Sequence, residues 1–276
     1  MPELPEVETI RNYLRLGKEK QPSILGKIIK CAEVTWGRSV AFPTLAEFQA
    51  KISGQTILEI DRRGKFLIFH LSDNELLIHL RMSGDLFVRE EDCPPDPYDR
   101  VIFHLGDGID LAFNDTRKFG RVWLVSDAQQ VIGNLGPEPF DTGLSDEIFH
   151  EHLQSMKRQL KPLLLDQSFI AGLGNIYSDE ALHMAHLHPL TRSNSLSLEQ
   201  STRLLECIRQ VLQAGIHTHG ASIDWVYRGG DFQNYFRVYG RKGLPCPICG
   251  EPIARIVVGQ RSTHFCPTCQ ALSEQS

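Results

Sequence analysis

No run of apolar residues in this 276-residue chain approaches eighteen, the length a helix needs to cross a bilayer, so the sequence predicts no membrane span. The opening, MPELPEVE, lacks a basic segment followed by an apolar one, so nothing there reads as an export signal. There is no low-complexity tract and no repeat of roughly 20–50 residues, which argues against linkers and solenoids. Nor is there a basic excess: 29 Lys and Arg against 34 Asp and Glu leave a net charge of −5. A uniformly basic chain would coat nucleic acid indiscriminately, and this one is not built that way. Cysteine is sparse. Of seven, Cys31, Cys93 and Cys207 stand singly, as expected of a reducing cytoplasm.

The other four close the chain as Cys246-x-x-Cys249, sixteen residues, then Cys266-x-x-Cys269. Two such pairs can place four sulfurs tetrahedrally around one Zn²⁺, and a closed four-cysteine site is structural because it leaves no position for substrate. Two disulfides in a secreted protein would be the alternative, and the absence of an export signal argues for zinc. Between the pairs, Ile253, Ile256, Val257 and Val258 are strand-formers around Arg255, followed by a Gly259-Gln260-Arg261 turn. From Trp225 to Phe265 six Lys and Arg face only Asp231 and Glu251. That local basic segment, tipped by an arginine, suits a docking face for phosphates or base edges.

With 41% apolar and 23% charged residues, the chain is long enough for two cores. Val7, Ile10 and Leu14 form one helical stripe over residues 5–16, with Pro5 in the first turn. Short apolar runs then predict strands at Thr56–Ile60, Phe66–Leu71, Leu76–Leu80, Leu86–Val88, Val101–Leu105, Ile109–Phe113 and Arg121–Val125. Turn signals between them favour an antiparallel sandwich or barrel. Leu135-Gly-Pro-Glu-Pro-Phe140 marks a boundary. After Asp146 the period is helical: Ile148, Phe149 and Leu153 lead one helix. The capping box Ser197-x-x-Gln200 opens another whose core face is Leu204, Leu205, Ile208, Val211, Leu212 and Ile216. Gly172 and Gly174 precede Asn175-Ile176-Tyr177, with a helix resuming over 179–185. A glycine turn entering a helix N-terminus can hold a phosphate. His217-x-His219 and His183, His186 and His188 are read as structural or solvated histidines, not a second metal site.

At the other end, Pro2 follows Met1, and a small second residue normally allows removal of the initiator. The exposed group would be a proline secondary amine, an α-amino group with a reference pKa near 8. Such an amine can form an iminium with a sugar aldehyde carbon, and Glu3 and Glu6 lie close enough in sequence to shuttle protons.

MPELPEVET, RRGKFLIFHL, HLRMSG, DTRKFG, LGPEP, AGLGNIYSDEAL, VYGRKGLPCPICG and QRSTHFCPTCQ occur in this order over essentially the whole chain. The set resembles the bacterial formamidopyrimidine-DNA glycosylase family, the 8-oxoguanine DNA glycosylase/AP lyases. The resemblance implies an α+β multidomain protein. An N-terminal β-sandwich catalytic domain with an N-terminal helix would span residues 1–134. A helix–two-turn–helix DNA-binding domain would span 135–228 and a C-terminal zinc-finger β-hairpin 229–276, with damaged double-stranded DNA between the halves. It also implies a monomer with one structural Zn²⁺, no organic cofactor and no membrane partner. The setting would be cytoplasmic, associated with the nucleoid through DNA.

The resemblance assigns Pro2 as the Schiff-base nucleophile and Glu3 as the general acid. Lys65 would serve β-elimination and meet a phosphate, and Arg261 would grip phosphate and be linked to δ-elimination. Met82, Arg117 and Phe119 resemble the set that fills the gap left by an extruded base. Lys157 and Asn175 match phosphate contacts. Where the family commonly has Lys-His-Asp-His, this chain has Pro97-Tyr98-Asp99-Arg100, so Tyr98 stands in place of a DNA-contacting histidine. The base-capturing stretch Ser222–Tyr239 is a few residues short, which leaves the choice among 8-oxoguanine, formamidopyrimidines and oxidised pyrimidines open.

Overall fold

A computed structural model describes residues 1–18, 21–222 and 229–272, which group into two compact units. The first comprises Met1–Asn134 with His219–Gly230, the second Leu135–Thr218 with Asp231–Ser276.

The first unit begins with helix α1 (Leu4–Leu16), whose stripe of Val7, Ile10 and Leu14 is buried as the spacing predicts. Two sheets follow. One runs β1-β7-β8-β6, from strands β1 (Ile29–Val34), β6 (Gly84–Glu90), β7 (Asp99–Leu105) and β8 (Ile109–Asp115). The other runs β2-β9-β5-β4-β3, from β2 (Val40–Phe42), β3 (Ile57–Arg63), β4 (Phe66–Leu71), β5 (Glu75–His79) and β9 (Arg121–Val125). All pairings are antiparallel except β2 with β9. Alternate residues of the two sheets meet in one core, with Leu67, Phe69 and Leu71 of β4 and Phe103, Leu111 and Phe113 of the other sheet among its members. Two-residue periodicity makes this a β-sandwich, and α1 and α2 (Leu45–Ile52) add Ile10, Leu14, Phe48 and Ile52 to the same core.

Helix α2 was not expected from periodicity, being only eight residues long. Its signature is local: Thr44 and Glu47 form a reciprocal capping box. α1 is fastened to β3 on its polar side. Arg62 Nε donates to Glu8 at 2.8 Å, and Arg11 donates to Glu8 and to Asp61. Burial alone would raise the Glu8 carboxyl, but the two guanidinium groups hold it below the usual range.

The second unit follows the short helix α3 (Gln129–Ile132). It contains α4 (Asp146–Ser155), α5 (Leu160–Leu164), α6 (Asn175–Met184), α7 (Leu198–His217) and the hairpin β10 (Ala254–Val258) and β11 (Arg261–Phe265). Ser197 and Gln200 cap α7 reciprocally, and Leu204, Leu205, Ile208, Val211 and Leu212 are buried while Ile216 is half-buried. Ile148 lies in α4 as expected and is 40% exposed. The buried stripe of α4 is Phe149 and Leu153, four residues apart, and Ile148 lies to one side of it. α6 also starts four residues before the expected 179, at Asn175 itself, with Gly174 as its N-cap.

Ser197→Ala removes the side-chain acceptor for the Gln200 amide and should lower the stability of the helical unit by about 1 kcal/mol, read as a shift of its urea midpoint.

Candidate active site and nucleic-acid interface

A chain terminus is usually solvated and frayed. Here Met1 is exposed but Pro2 and Glu3 are buried, Glu3 at 2% exposure. Glu3 is the N-cap of α1 in extended conformation and forms a capping box with Glu6, whose Oε2 accepts the Glu3 N–H at 2.7 Å. The other oxygen, Oε1, accepts the N–H of Ala221 at 2.7 Å. One buried carboxylate thus fixes both the start of the chain and a segment more than two hundred residues later. Gly220 makes this possible. Its φ is +83, and a Cβ there would stand 2.7 Å from Glu6 Oε1.

Lys65 lies in the two-residue loop between β3 and β4, after Gly64 at φ 57 and inside the Arg63–Phe66 pair. Glycine at the first loop position with left-handed φ suits a tight hairpin turn. The lysine therefore sits on a turn directly before β4, and it is 5% exposed. Burial, then the nearby charges of Arg81 and Lys65, push the neighbouring His79 down to about 3. Its neutral ring accepts the Arg81 N–H at Nδ1 (3.0 Å) and packs edge-on against Phe66.

Three of the expected probing residues stand on two turns joined by a residue that sequence reasoning passed over. Asp115, fully buried at the end of β8, accepts hydrogen bonds from Ser83 Oγ, from the Arg117 N–H at 3.1 Å and from the Gly120 N–H at 2.7 Å. Met82 precedes Ser83 and is half-buried; Arg117 and Phe119 are exposed, with the guanidinium 5.0 Å from the Phe119 ring centroid. Asp115 is the acid of the DTRKFG motif, so the signal was the motif's first letter, without any periodicity to mark it. Tyr98 is 47% exposed beside this region, its carbonyl accepting the Asp115 N–H and its ring under the Arg100 guanidinium.

In the second unit, Lys157 and Arg261 are exposed and Asn175 is half-buried. Arg261 opens β11 at the hairpin tip, paired with Val258. Arg255 instead donates across the hairpin to the Ser262 hydroxyl, and Arg241 donates to the Phe236 and Pro245 carbonyls, so the first braces the hairpin through a side chain and the second braces backbone. Arg228 lies outside the described residues, as does 223–228 within the shortened base-capturing stretch.

α6 carries most of what holds the hairpin. Asn175 Nδ2 donates to the Ser262 carbonyl at 3.0 Å. Asp179 accepts the His264 N–H at 2.9 Å, and its other oxygen accepts from the fully buried Lys161 ammonium at 2.6 Å. Lys161 also donates to Ser178 Oγ and the Asn175 carbonyl, so the buried charge pair is fully hydrogen-bonded. Glu180 accepts the N–H groups of Arg237, Val238 and Tyr239. None of these roles was visible as periodicity.

The four hairpin cysteines bring their sulfurs within 4.8 Å of one another, with Cys246–Cys269 at 3.9 Å and Cys249–Cys266 at 3.4 Å. Tetrahedral Zn–S bonds of about 2.3 Å need sulfur separations of about 3.8 Å, so the donor set and spacing fit one structural zinc. Among the described residues no other group of His, Cys, Asp and Glu side chains is close enough to hold a metal.

A β-sandwich headed by a buried terminal helix, a helical unit entered through a glycine turn and a four-cysteine hairpin together define the helix–two-turn–helix class of DNA glycosylase. The comparisons agree. Residues 1–122 match the formamidopyrimidine-DNA glycosylase N-terminal domain, 135–226 its H2TH domain and 243–272 the zinc finger found in FPG and IleRS. The chain belongs to the formamidopyrimidine-DNA glycosylase family. It is 44% identical to the formamidopyrimidine-DNA glycosylase of Protochlamydia amoebophila over 98% of this chain and 99% of that one. The Pelotomaculum thermopropionicum enzyme is 43% identical, with the same shares covered. Among solved structures, wild-type Lactococcus lactis Fpg (MutM) in complex with DNA containing N7-benzyl-Fapy-dG superposes with a TM-score of 0.91 at 37% identity, covering 98% of this chain and all of that one. The same L. lactis protein with DNA containing an abasic site gives 0.90, again at 37% and with the same shares covered.

Glu6→Gln replaces one acceptor oxygen with an NH₂ group facing an N–H. It should destabilise the first unit by about 1–3 kcal/mol in urea and speed hydrogen exchange of the Ala221 amide; unaltered exchange would remove Glu6 from its bridging role.

Proposed function

We propose that this family member is a base-excision repair enzyme that removes oxidised purines, 8-oxoguanine and formamidopyrimidines, from double-stranded DNA and then cleaves the strand as an AP lyase. The observation that carries the mechanism is the burial of Pro2 and Glu3, against the ordinary behaviour of a chain terminus. Once the initiator is removed, the proline amine lies at the positive end of α1 and out of water, and both conditions favour its uncharged, nucleophilic form.

The neutral amine attacks C1′ of the extruded nucleotide, the bond to the damaged base breaks, and an iminium joins protein to sugar. Glu3 protonates and deprotonates groups at the same carbon. Loss of a proton from C2′ expels the 3′ phosphate, and a second elimination expels the 5′ phosphate, leaving a one-nucleotide gap. Lys65 meets a phosphate and serves the first elimination. Arg261 grips phosphate near the second, because a guanidinium holds its proton too firmly to be a comfortable acid.

Met82 and Phe119 enter the stack vacated by the base and Arg117 hydrogen-bonds the orphaned partner, a reading supported by the shared Asp115 anchor beneath all three. Lys157, Asn175 and Tyr98 contact the backbone. The protein works as a monomer with one structural zinc and no organic cofactor, in the cytoplasm and on the nucleoid.

Borohydride reduction during turnover should link the protein covalently to lesion-bearing DNA, and Pro2→Gly protein with an acetylated terminus should give no link. Trapping that survives in that protein would overturn the amine assignment. Lys157→Ala and Arg261→Ala should each weaken all duplexes and lower the slope of log affinity against log salt by about one. A slope equal to that of the parent would take the residue off the phosphate-contact list.

A further inference from the structure

His183 lies one residue before the C-terminal end of α6 and is completely buried. Its Nε2 is 3.4 Å from Cys246 Sγ, within reach of an N–H···S hydrogen bond, while its Nδ1 has no hydrogen-bond partner among the described residues. The two ring nitrogens are therefore not equivalent. A proton on Nδ1 would be a buried donor facing no acceptor, which is the costly arrangement; a proton on Nε2 faces a sulfur that becomes a thiolate when metal binds. The same sulfur receives the Ile248 N–H at 3.5 Å. Cys246 is 3% exposed, so water is a poor substitute for these donors.

We propose that His183 is a positioning residue of the zinc site, donating Nε2–H to the Cys246 thiolate and so tying helix α6 to the metal knuckle. The donation withdraws charge from one of four thiolates crowded on a single dication and fixes that sulfur's direction. Groups that orient metal ligands in this way commonly carry a sizeable part of the affinity. The placement on α6 adds a second consequence. The same helix binds β11 through Asn175 and Asp179, the segment 237–239 through Glu180, and leads into His186, whose Nδ1 donates to the Cys269 carbonyl at 3.2 Å. His183 thus makes the metal site part of the helix that also fixes the Arg261 hairpin. Nothing in this depends on the charge of the ring, because Nε2 carries a proton in the imidazolium and in the expected neutral form alike.

Two variants separate donation from packing. His183→Phe keeps a buried ring and removes the N–H; His183→Gln keeps an N–H donor on a smaller side chain. With the purified zinc protein, transfer of metal to a chromophoric chelator should show His183→Phe binding zinc about tenfold more weakly, with His183→Gln nearer the parent. In the cobalt-substituted proteins, the thiolate-to-metal charge-transfer band should move to lower energy in His183→Phe, as expected when a sulfur loses a hydrogen bond. A change in packing alone would not move it in that direction. Nitrogen NMR of the unmutated zinc protein needs no variant and reads the tautomer directly, with the proton expected on Nε2. A proton on Nδ1, parental affinity and band position in His183→Phe, or equal impairment of both variants in both assays would each overturn the proposal.

Discussion

One carboxylate governs the N-terminal end of this protein. Glu6 spends both oxygens on backbone amides, those of Glu3 and Ala221, and in doing so holds a chain terminus where termini seldom stay. A nucleophile made from the main-chain amine, the role proposed for Pro2, would have no rotamers of its own to be selected by packing. Its direction is set by the backbone of residues 2 and 3, and that backbone is set by α1. The docking of α1 depends in turn on Val7, Ile10 and Leu14 in the core and on Glu8 against Arg62 and Arg11. On the proposed mechanism, precision at the amine would be inherited from the sandwich.

The second unit uses the same economy with a helix in place of a strand pair. Asn175, Asp179, Glu180 and His183 occupy two and a half turns of α6, and each reaches a different part of the cysteine-bearing segment. A hairpin of two five-residue strands has little apolar area of its own: its small core is Val238, Cys246, Ile253 and Cys266. Such a module stands by metal and by hydrogen bonds to a larger neighbour; the four-cysteine set fits the first and the bonds to α6 supply the second. The buried Lys161–Asp179 pair makes sense in this light. Its charges are costly to desolvate, yet the ammonium and the carboxylate are each bonded again, to the α6 backbone and to His264.

Much of this was legible beforehand because it rests on period and on chemistry confined to short segments. Strand β4 and strand β9 fall where short apolar runs between turn signals put them, α7 begins at its capping box, and the cysteine spacing defines the metal site. What escaped has a common physical character. Asp115, Glu6 in its bridging role, Asp179, Glu180 and His183 all act by bonds between residues distant in sequence or across turns, and a buried polar residue leaves the hydrophobic pattern no trace except an interruption. Lys65 shows the limit in miniature: the apolar run marks β4 from Phe66 onward but says nothing of the chain just before it, which is a two-residue turn entered through Gly64. Ile148 shows the converse, an apolar side chain one position off the buried stripe of α4.

The node at Asp115 has an implication for how such a surface can change. It grips the main-chain amides of Arg117 and Gly120 and the hydroxyl of Ser83, and leaves the side chains of Met82, Arg117 and Phe119 unencumbered by that task. Scaffold and tool are separated: the loops keep their course whatever side chains they display. Drift at those three positions can therefore retune what the surface touches without first having to rebuild the surface.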